Sequence, residues 1–342
     1  MANIAINGFG RIGRAFLKLA LNHAELNVVA INDLGDPENL AYLLRYDSAY
    51  GRYNQVVSVD ESDGRRYLTI GDRRILFLQE KEPTHLPWGD LDIDIVIEST
   101  GVFESFEKAR VHITAGAKRV VLTAPAKDED GDDAKTVLMG VNEDDIKTCV
   151  LSSNGSCTTV SAAPPLQILS EKLGVKKAFL NTVHSYTTTQ NIADGPVKGS
   201  DFRRGRAAAT NIVPSTTGSA IAVARALTEM AGKFDGVAIR VPTATGSLSA
   251  ITFIAKHKTT VEEINTLLEE AAADPRWKGI FTVTHDQLVS SDIIGDPHGS
   301  IADLSLTKVV DGDLCCVYAW YDNEFGYTNS LVLHVLKCVA SL

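Results

Sequence analysis

Short alternating runs and longer helical patterns take turns over the first 150 residues. Asn3 to Asn7 (NIAIN) alternates apolar and polar positions as a strand does, whereas Phe16, Leu17, Ala20 and Leu21 recur at helical spacing. A second apolar run, Leu26 to Ile31, ends at Asn32 and Asp33 and completes a strand–helix–strand unit of about thirty residues. Runs at Ile93 to Ile97 and Arg119 to Leu122 flank a helical stretch near Phe106 to Ala115. This pattern predicts an α/β domain with a doubly wound, Rossmann-type parallel sheet. After Cys149 the strand-like runs lengthen, at Phe179 to Tyr186, Gly236 to Val241, Leu248 to Ala255 and Leu314 to Trp320. They predict an α+β domain built on a largely antiparallel sheet. Thr260 and Glu263 form a capping pair ahead of a helix whose apolar face is Ile264, Leu267, Leu268 and Ala271. Another helix follows Thr217 and Gly218, with Ile221, Ala224 and Leu227 on one side. No repeat and no Pro- or Ser-rich linker separates the halves, so they are expected to meet across a tight interface rather than a tether.

The chain's 342 residues fit about two domains, and 44% hydrophobic with 22% charged residues is ordinary globular usage. A net charge of −10 argues against a surface built to neutralise a nucleic-acid backbone, so anionic metabolites need local basic pockets. No apolar run reaches the ~18 residues of a membrane span, and the first residues lack a secretory pattern, so the expectation is a cytoplasmic protein without a membrane partner. Five Cys, an odd number without regular spacing, support neither a disulfide framework nor a zinc site, and no metal is expected.

Gly8, Gly10 and Gly13 spell G-x-G-x-x-G directly after the first strand and at the opening of a helix. There a bare backbone can approach a pyrophosphate at the positive end of the helix dipole. Asp33, at the end of the second strand, can accept bonds from ribose hydroxyls and repels a 2′-phosphate, which favours NAD over NADP. The alternative is a structural glycine turn beside a solvated Asp. Cys157, in SNGSCTT, stands where a small turn leads into a helix, a place that should ease loss of the thiol proton. Cys149, Cys315, Cys316 and Cys338 read as small buried hydrophobes. His184, followed by a hydroxyl-rich run, is the candidate base for a thiol nucleophile, with a structural strand histidine as the alternative. Arg203, Arg204, Arg206 and Arg240 suit a phosphate substrate or, equally, an interface ion-pair set. The acidic stretch from Asp128 to Asp133 lacks the terminal Glu of a calcium loop and reads as a solvated loop.

NGFGRIGR (Asn7 to Arg14), ND (Asn32, Asp33), STGVF (Ser99 to Phe103), TAPAK (Thr123 to Lys127) and SCTT (Ser156 to Thr159), followed by HSYT (His184 to Thr187), PSTTG (Pro214 to Gly218), RVPT (Arg240 to Thr243) and WYDNEFGY (Trp320 to Tyr327), together resemble phosphorylating glyceraldehyde-3-phosphate dehydrogenases over essentially the whole chain. The resemblance implies an NAD-binding domain over 1–155, a catalytic domain over 156–326 and a final helix, 327–342, packing back on the first. It implies Cys157 as nucleophile and His184 as base, with Gly8, Gly10, Arg11, Ile12, Gly13, Asp33, Thr100, Asn323 and Tyr327 around NAD. Thr187 and Arg240 would hold the substrate phosphate; Ser156, Thr158, Arg204, Thr217 and Gly218 would line the place of attacking inorganic phosphate. A homotetramer follows by the same resemblance. Val160 stands where the family carries Asn, which sets an expectation of slowed catalysis. The rival readings are an erythrose-4-phosphate dehydrogenase, which hydrolyses its thioester, and a weakened paralogue acting as a binding protein.

Overall fold

The NIAIN run forms β1 (Ala2–Asn7), and the glycine turn after it opens α1 (Arg11–Ala20), which turns Phe16, Leu17 and Ala20 inward. The computed structural model describes residues Met1 to Leu342 and divides into two units. The first comprises residues 1–137, 143–155 and 331–342; the second comprises 138–142 and 156–330.

In the first unit β2 (Leu26–Asn32) and α2 (Pro37–Arg45) precede a short hairpin, β3 (Tyr46–Asp47) with β4 (Gly51–Arg52). Three further strands follow, β5 (Val57–Ser62), β6 (Arg65–Ile70) and β7 (Arg73–Leu78). Then come β8 (Ile95–Glu98), α3 (Phe106–Ala109), α4 (Val111–Thr114), β9 (Arg119–Leu122), β10 (Ala134–Thr136) and β11 (Leu151–Ser153). Nine strands pair in the order β10-β11-β9-β8-β1-β2-β7-β6-β5, parallel from β10 to β7 and antiparallel at the β7-β6-β5 edge. Ile4, Ile6, Ile95, Ile97 and Val120 are fully buried, as expected of strands covered on both faces. The sheet order reverses at β1, which β2 and β8 flank, and such a switch point leaves a crevice at the strands' carboxyl ends.

The helical stretch near Phe106 to Ala115 is two short helices with a break at Arg110 rather than one. The acidic stretch is the exposed loop expected, and several of its carboxylates also serve neighbouring groups. Asp128 accepts from the amides of Phe106 and Glu107, Asp130 from Thr136, and Asp133 pairs with Arg110. These carboxylates satisfy helix-end amides and turns that water would otherwise serve.

In the second unit α5 (Cys157–Lys172) lies against a sheet of β12 (Val175–Ser185), β13 (Val213–Thr216), β14 (Phe234–Val241), β15 (Ser247–Ala255), β16 (Phe281–Thr284), β17 (Ser300–Asp303), β18 (Lys308–Val310) and β19 (Leu314–Tyr321). The order β13-β14-β12-β15-β19-β17-β16 is mostly antiparallel, with parallel pairs β12–β14 and β16–β17. Helices α6 (Ser219–Ala226), α7 (Val261–Ala273) and α8 (Phe325–Val339) complete the chain. Helix α6 bears out part of the expected stripe: Leu227 is buried, but Ile221 is 62% exposed and the small residues Ala220, Ala222 and Val223 turn inward. At α7 the Thr260 hydroxyl accepts from the Glu263 amide as expected, but Glu263 Oε2 accepts from Thr259 Oγ1 instead of returning the bond to Thr260.

Val160 belongs to the core of this unit. It is 5% exposed, and a Cβ added at Gly299 would stand 2.4 Å from Val160 Cγ1, so the bare glycine makes room for the branched side chain. Val160→Asn should therefore lose about 1–3 kcal/mol of stability by burying an amide in an apolar niche, with no gain in kcat. Denaturant unfolding together with turnover at saturating substrates checks this, and a raised kcat would bear out the expectation that the valine slows catalysis.

Candidate active site

Ser156 caps α5 through a reciprocal pair: its Oγ accepts from the Thr159 amide at 3.2 Å and Thr159 Oγ1 accepts from the Ser156 amide at 3.1 Å. That capping fixes Cys157 as the first residue of a 16-residue helix buried along most of its length. His184 is the penultimate residue of β12, on the face that packs against α5. The two side chains meet, Cys157 Sγ standing 3.2 Å from His184 Nε2. His184 Nδ1 is 2.6 Å from the Ser185 carbonyl, which can only accept, so the ring proton sits on Nδ1 and Nε2 faces the sulfur as an acceptor.

Burial dominates the protonation of both groups. It pushes the Cys157 thiol up to about 11, against the opposing pull of Arg240 and of the Thr158 contacts, and brings the His184 imidazole down to about 4. The helix N-terminus was expected to lower the thiol, but desolvation of the crowded sulfur outweighs it. Both shifts act in the direction of a thiol beside a neutral imidazole, an arrangement in which the proton can pass to Nε2 as sulfur attacks.

Strands β12 and β14 are parallel neighbours with His184 in register with Arg240, which places the guanidinium beside the pair on the same face. Arg240 Nη1 donates to Thr187 Oγ1 at 2.9 Å and to Gln190 Oε1 at 3.4 Å, and its buried Nε has no partner. Thr187 Oγ1 meets Thr189 Oγ1 at 2.9 Å, and Arg204 donates to Thr189 Oγ1 at 3.3 Å and to Ser215 Oγ at 3.1 Å. Two arginines thus converge through a pair of threonine hydroxyls. Arg203 and Arg206 instead pair with Asp201 and Asp194, so of that basic cluster only Arg204 joins the site. Ser156 Oγ bonds Ser219 Oγ at 2.8 Å, which also bonds Thr217 Oγ1 at 2.8 Å, just before Gly218 caps α6. The Thr158 hydroxyl does not join this group; it bonds the Tyr321 hydroxyl at 3.0 Å.

Tyr321 was missed as a site residue. Its hydroxyl also bonds Thr182 at 2.7 Å, and its ring stands edge-on to His184, 6.0 Å between centroids. The alternation along β19, which turns Cys315, Val317, Ala319 and Tyr321 inward, could have revealed it. Thr189, Ser215 and Asp201 were missed too; Asp201, bonded to Arg204 Nε at 3.2 Å, orients that guanidinium. Asn323 is buried, and its Oδ1 accepts from Gly246 N, Ser247 Oγ and Thr245 Oγ1, which settles the amide's orientation. Tyr327 is buried in the first turns of α8.

In the first unit, the crevice at the switch point is a cavity of about 450 Å³ lined by Gly8, Gly10, Asp33 and Thr100. Gly8 has φ +96°, and a Cβ there would lie 2.6 Å from the Ser99 backbone; a Cβ on Gly13 would strike the Gly8 carbonyl at 2.2 Å. Nothing lies within 4 Å of a Cβ built on Gly10, which caps α1 without a side chain. The helix start above Arg11 and Ile12 is thus open to an anion. Arg11 contributes no free side chain there, since it pairs with Asp47 at 2.8 Å. Asp33 accepts from the amides of Phe9 at 2.6 Å and Gly35 at 2.8 Å, which aims its carboxylate across the turn. These residues fit a dinucleotide.

A nucleotide crevice in one unit and a thiol–imidazole pair beside two arginines in the other fit the class of NAD-dependent dehydrogenases. The sequence comparisons narrow this. The family model for the glyceraldehyde 3-phosphate dehydrogenase NAD binding domain matches residues 2–106, and that for the C-terminal domain matches residues 156–323. The chain is 46% identical over 336 residues to the glyceraldehyde-3-phosphate dehydrogenase of Clostridium acetobutylicum, covering 97% of each. It is 46% identical to those of Streptomyces coelicolor and Mycolicibacterium smegmatis, covering 96% of each chain. The chain belongs to the glyceraldehyde-3-phosphate dehydrogenase family, and NAD is its cofactor.

Proposed function

We infer that this protein oxidises glyceraldehyde 3-phosphate to 1,3-bisphosphoglycerate, with NAD reduction and incorporation of inorganic phosphate. The observation that carries this reading is the 3.2 Å Cys157–His184 pair beside Arg240 and Arg204. Cys157 Sγ attacks the aldehyde carbon while its proton passes to His184 Nε2, giving the alkoxide of a thiohemiacetal, from which loss of hydride leads directly to the thioester. NAD, when bound, accepts the hydride that leaves the former aldehyde carbon. The carbon–sulfur bond survives as a thioester; inorganic phosphate attacks its carbonyl carbon, and the thiolate leaves as the acyl phosphate forms. Arg240 and Thr187 hold the substrate's phosphate, and Arg204, Thr217, Gly218 and Ser156 receive the attacking one, each guanidinium offering its fork to phosphate oxygens. Asn323 presents its amide nitrogen to the nicotinamide carboxamide, since its oxygen is already occupied three times over.

The protein acts as a homotetramer. Phe179, Val183 and Val237 share the outer face of β12 and β14, at 42%, 40% and 38% exposure, an apolar surface that a second copy would cover. No helix is long and apolar enough to cross a membrane, and the cytoplasm is the location we propose, as suits a glycolytic role.

The test is NADH formation from glyceraldehyde 3-phosphate with and without inorganic phosphate. Sustained turnover is expected only with phosphate, and a single burst without it; turnover independent of phosphate would point to thioester hydrolysis and sink the reading. NADP should give a lower kcat/KM than NAD, because Asp33 repels a 2′-phosphate. Lys81 also lines the cavity, so equal use of NADP would mean that its charge offsets Asp33.

A further inference from the structure

Three polar residues end the central strands of the first sheet: Asn7 on β1, Asn32 on β2 and Glu98 on β8. All are buried, and Asn7 is in register with both of the others. Their side chains join across the strands. Asn32 Nδ2 donates to Asn7 Oδ1 at 2.8 Å, and Asn7 Nδ2 donates to Glu98 Oε2 at 2.6 Å. His112 Nε2 lies 3.0 Å from the same Oε2, and Trp88 Nε1 donates to His112 Nδ1 at 3.1 Å. An indole nitrogen can only donate, so Nδ1 is the acceptor and the ring proton on Nε2 points at Glu98. Glu98 Oε1 accepts from the Thr100 amide at 2.9 Å and from the Thr100 hydroxyl. At the other end Asn32 binds the Glu80 backbone both ways, accepting from its amide at 2.8 Å and donating to its carbonyl at 3.0 Å.

This line runs beneath the 450 Å³ cavity from the loop after β7 to the loop after β8, and Asn7, Asn32, Glu80 and Thr100 all line that cavity. Each polar strand end directly follows a buried isoleucine, at Ile6, Ile31 and Ile97, so an apolar sheet was available at little cost. A carboxyl group in such a place is destabilising unless all its acceptor positions are used, and here four donors converge on it. We propose that Trp88, His112, Glu98, Asn7 and Asn32 form a positioning network for the cofactor crevice. Glu98 is its hub and holds the loops after β1, β2, β7 and β8 at one spacing. The inference rests on the reading of that crevice as the NAD site. The donor chains Trp88–His112 and Asn32–Asn7 both end on Glu98, as do the Thr100 amide and hydroxyl; Glu98→Gln would set an N–H₂ group against those donors and let Thr100 and Asn7 drift.

The experiment measures NAD binding calorimetrically alongside thermal unfolding for the wild-type protein, Glu98→Gln and Trp88→Phe. Glu98→Gln should raise the Kd for NAD about tenfold, and KM for NAD should rise more than kcat falls. Trp88→Phe, which frees His112 Nδ1, should raise Kd by about two- to fivefold. Unchanged Kd in a variant whose Tm is lowered would reduce the network to ordinary core structure and overturn the proposal. If Glu98→Gln does not fold, Trp88→Phe decides by the same criterion. In the wild type, ¹⁵N resonances of His112 should show the Nε2–H tautomer with and without NAD; the Nδ1–H tautomer overturns the proposal. Failure of the wild type to bind NAD would instead remove the cofactor reading, a result distinct from the tautomer measurement.

Discussion

Cys157→Ser is expected to abolish aldehyde oxidation, lowering kcat by about 10⁴-fold or more, while the Kd for NAD stays within about twofold of wild type. A hydroxyl has roughly the geometry of the thiol it replaces and would still face His184 Nε2, now 3.2 Å from sulfur. It is a far poorer nucleophile toward the aldehyde and a far poorer leaving group when phosphate attacks, so both halves of the reaction suffer. The first unit's crevice contains neither residue, which is why cofactor binding survives. Steady-state NADH formation and calorimetry on the same preparation check this. Retained activity in Cys157→Ser, with loss in Cys149→Ser, would move the nucleophile elsewhere; burial pushes the Cys149 thiol up to about 11 and leaves it without a base.

His184→Asn should cost about 10²- to 10⁴-fold in kcat/KM, the usual worth of a positioned general base. The pH dependence separates a base from a mere packing residue. Burial holds the thiol's affinity for its proton up at about 11, so without a neighbouring acceptor sulfur must ionise unaided. The thiolate fraction then grows about tenfold per pH unit everywhere below that value, and the variant's kcat/KM should climb at that slope from about pH 7 to pH 9. The wild type needs only a neutral imidazole, already present because burial brings His184 down to about 4, and should rise much less steeply. Parallel profiles in the two proteins would strip His184 of the role of base.

Local signals carried the first unit well. A glycine pattern, a strand before it, a helix after it and Asp33 at the next strand end are all read within a span of about thirty residues, and each meaning is set by backbone geometry. The Cys157 helix start was legible for the same reason. Legibility failed where a residue's meaning depends on partners far along the chain. Glu98 meets Asn7 across 91 positions, and Tyr321 meets Thr182 across 139, so neither gives a local pattern. Helical spacing places Ile221 on an apolar stripe without saying which side faces the sheet; α6 turns its small residues in instead. The arginines failed differently. Composition counts Arg203, Arg204 and Arg206 alike, and all three pair with a local carboxylate, but only Arg204 also reaches the distant hydroxyls of Thr189 and Ser215.

The alignment of His184 with Arg240 on neighbouring parallel strands has a consequence for how this protein can diverge. The proposed proton acceptor and anion clamp occupy one rung of a ladder that also pairs Thr182 with Ala238 and Leu180 with Gly236, all on the face toward α5. Side chains alternate faces along a strand, so one residue lost or gained upstream in β14 would send Arg240 to the outer face and bring an apolar neighbour into its place. Substitutions along these strands can accumulate one at a time, each judged by its own packing. Changes in length cannot, since a single step dismantles both functions together. Insertions and deletions should therefore be confined to the connecting loops, and a loop graft that preserves the strand lengths is the safe unit for recombining this enzyme with its relatives.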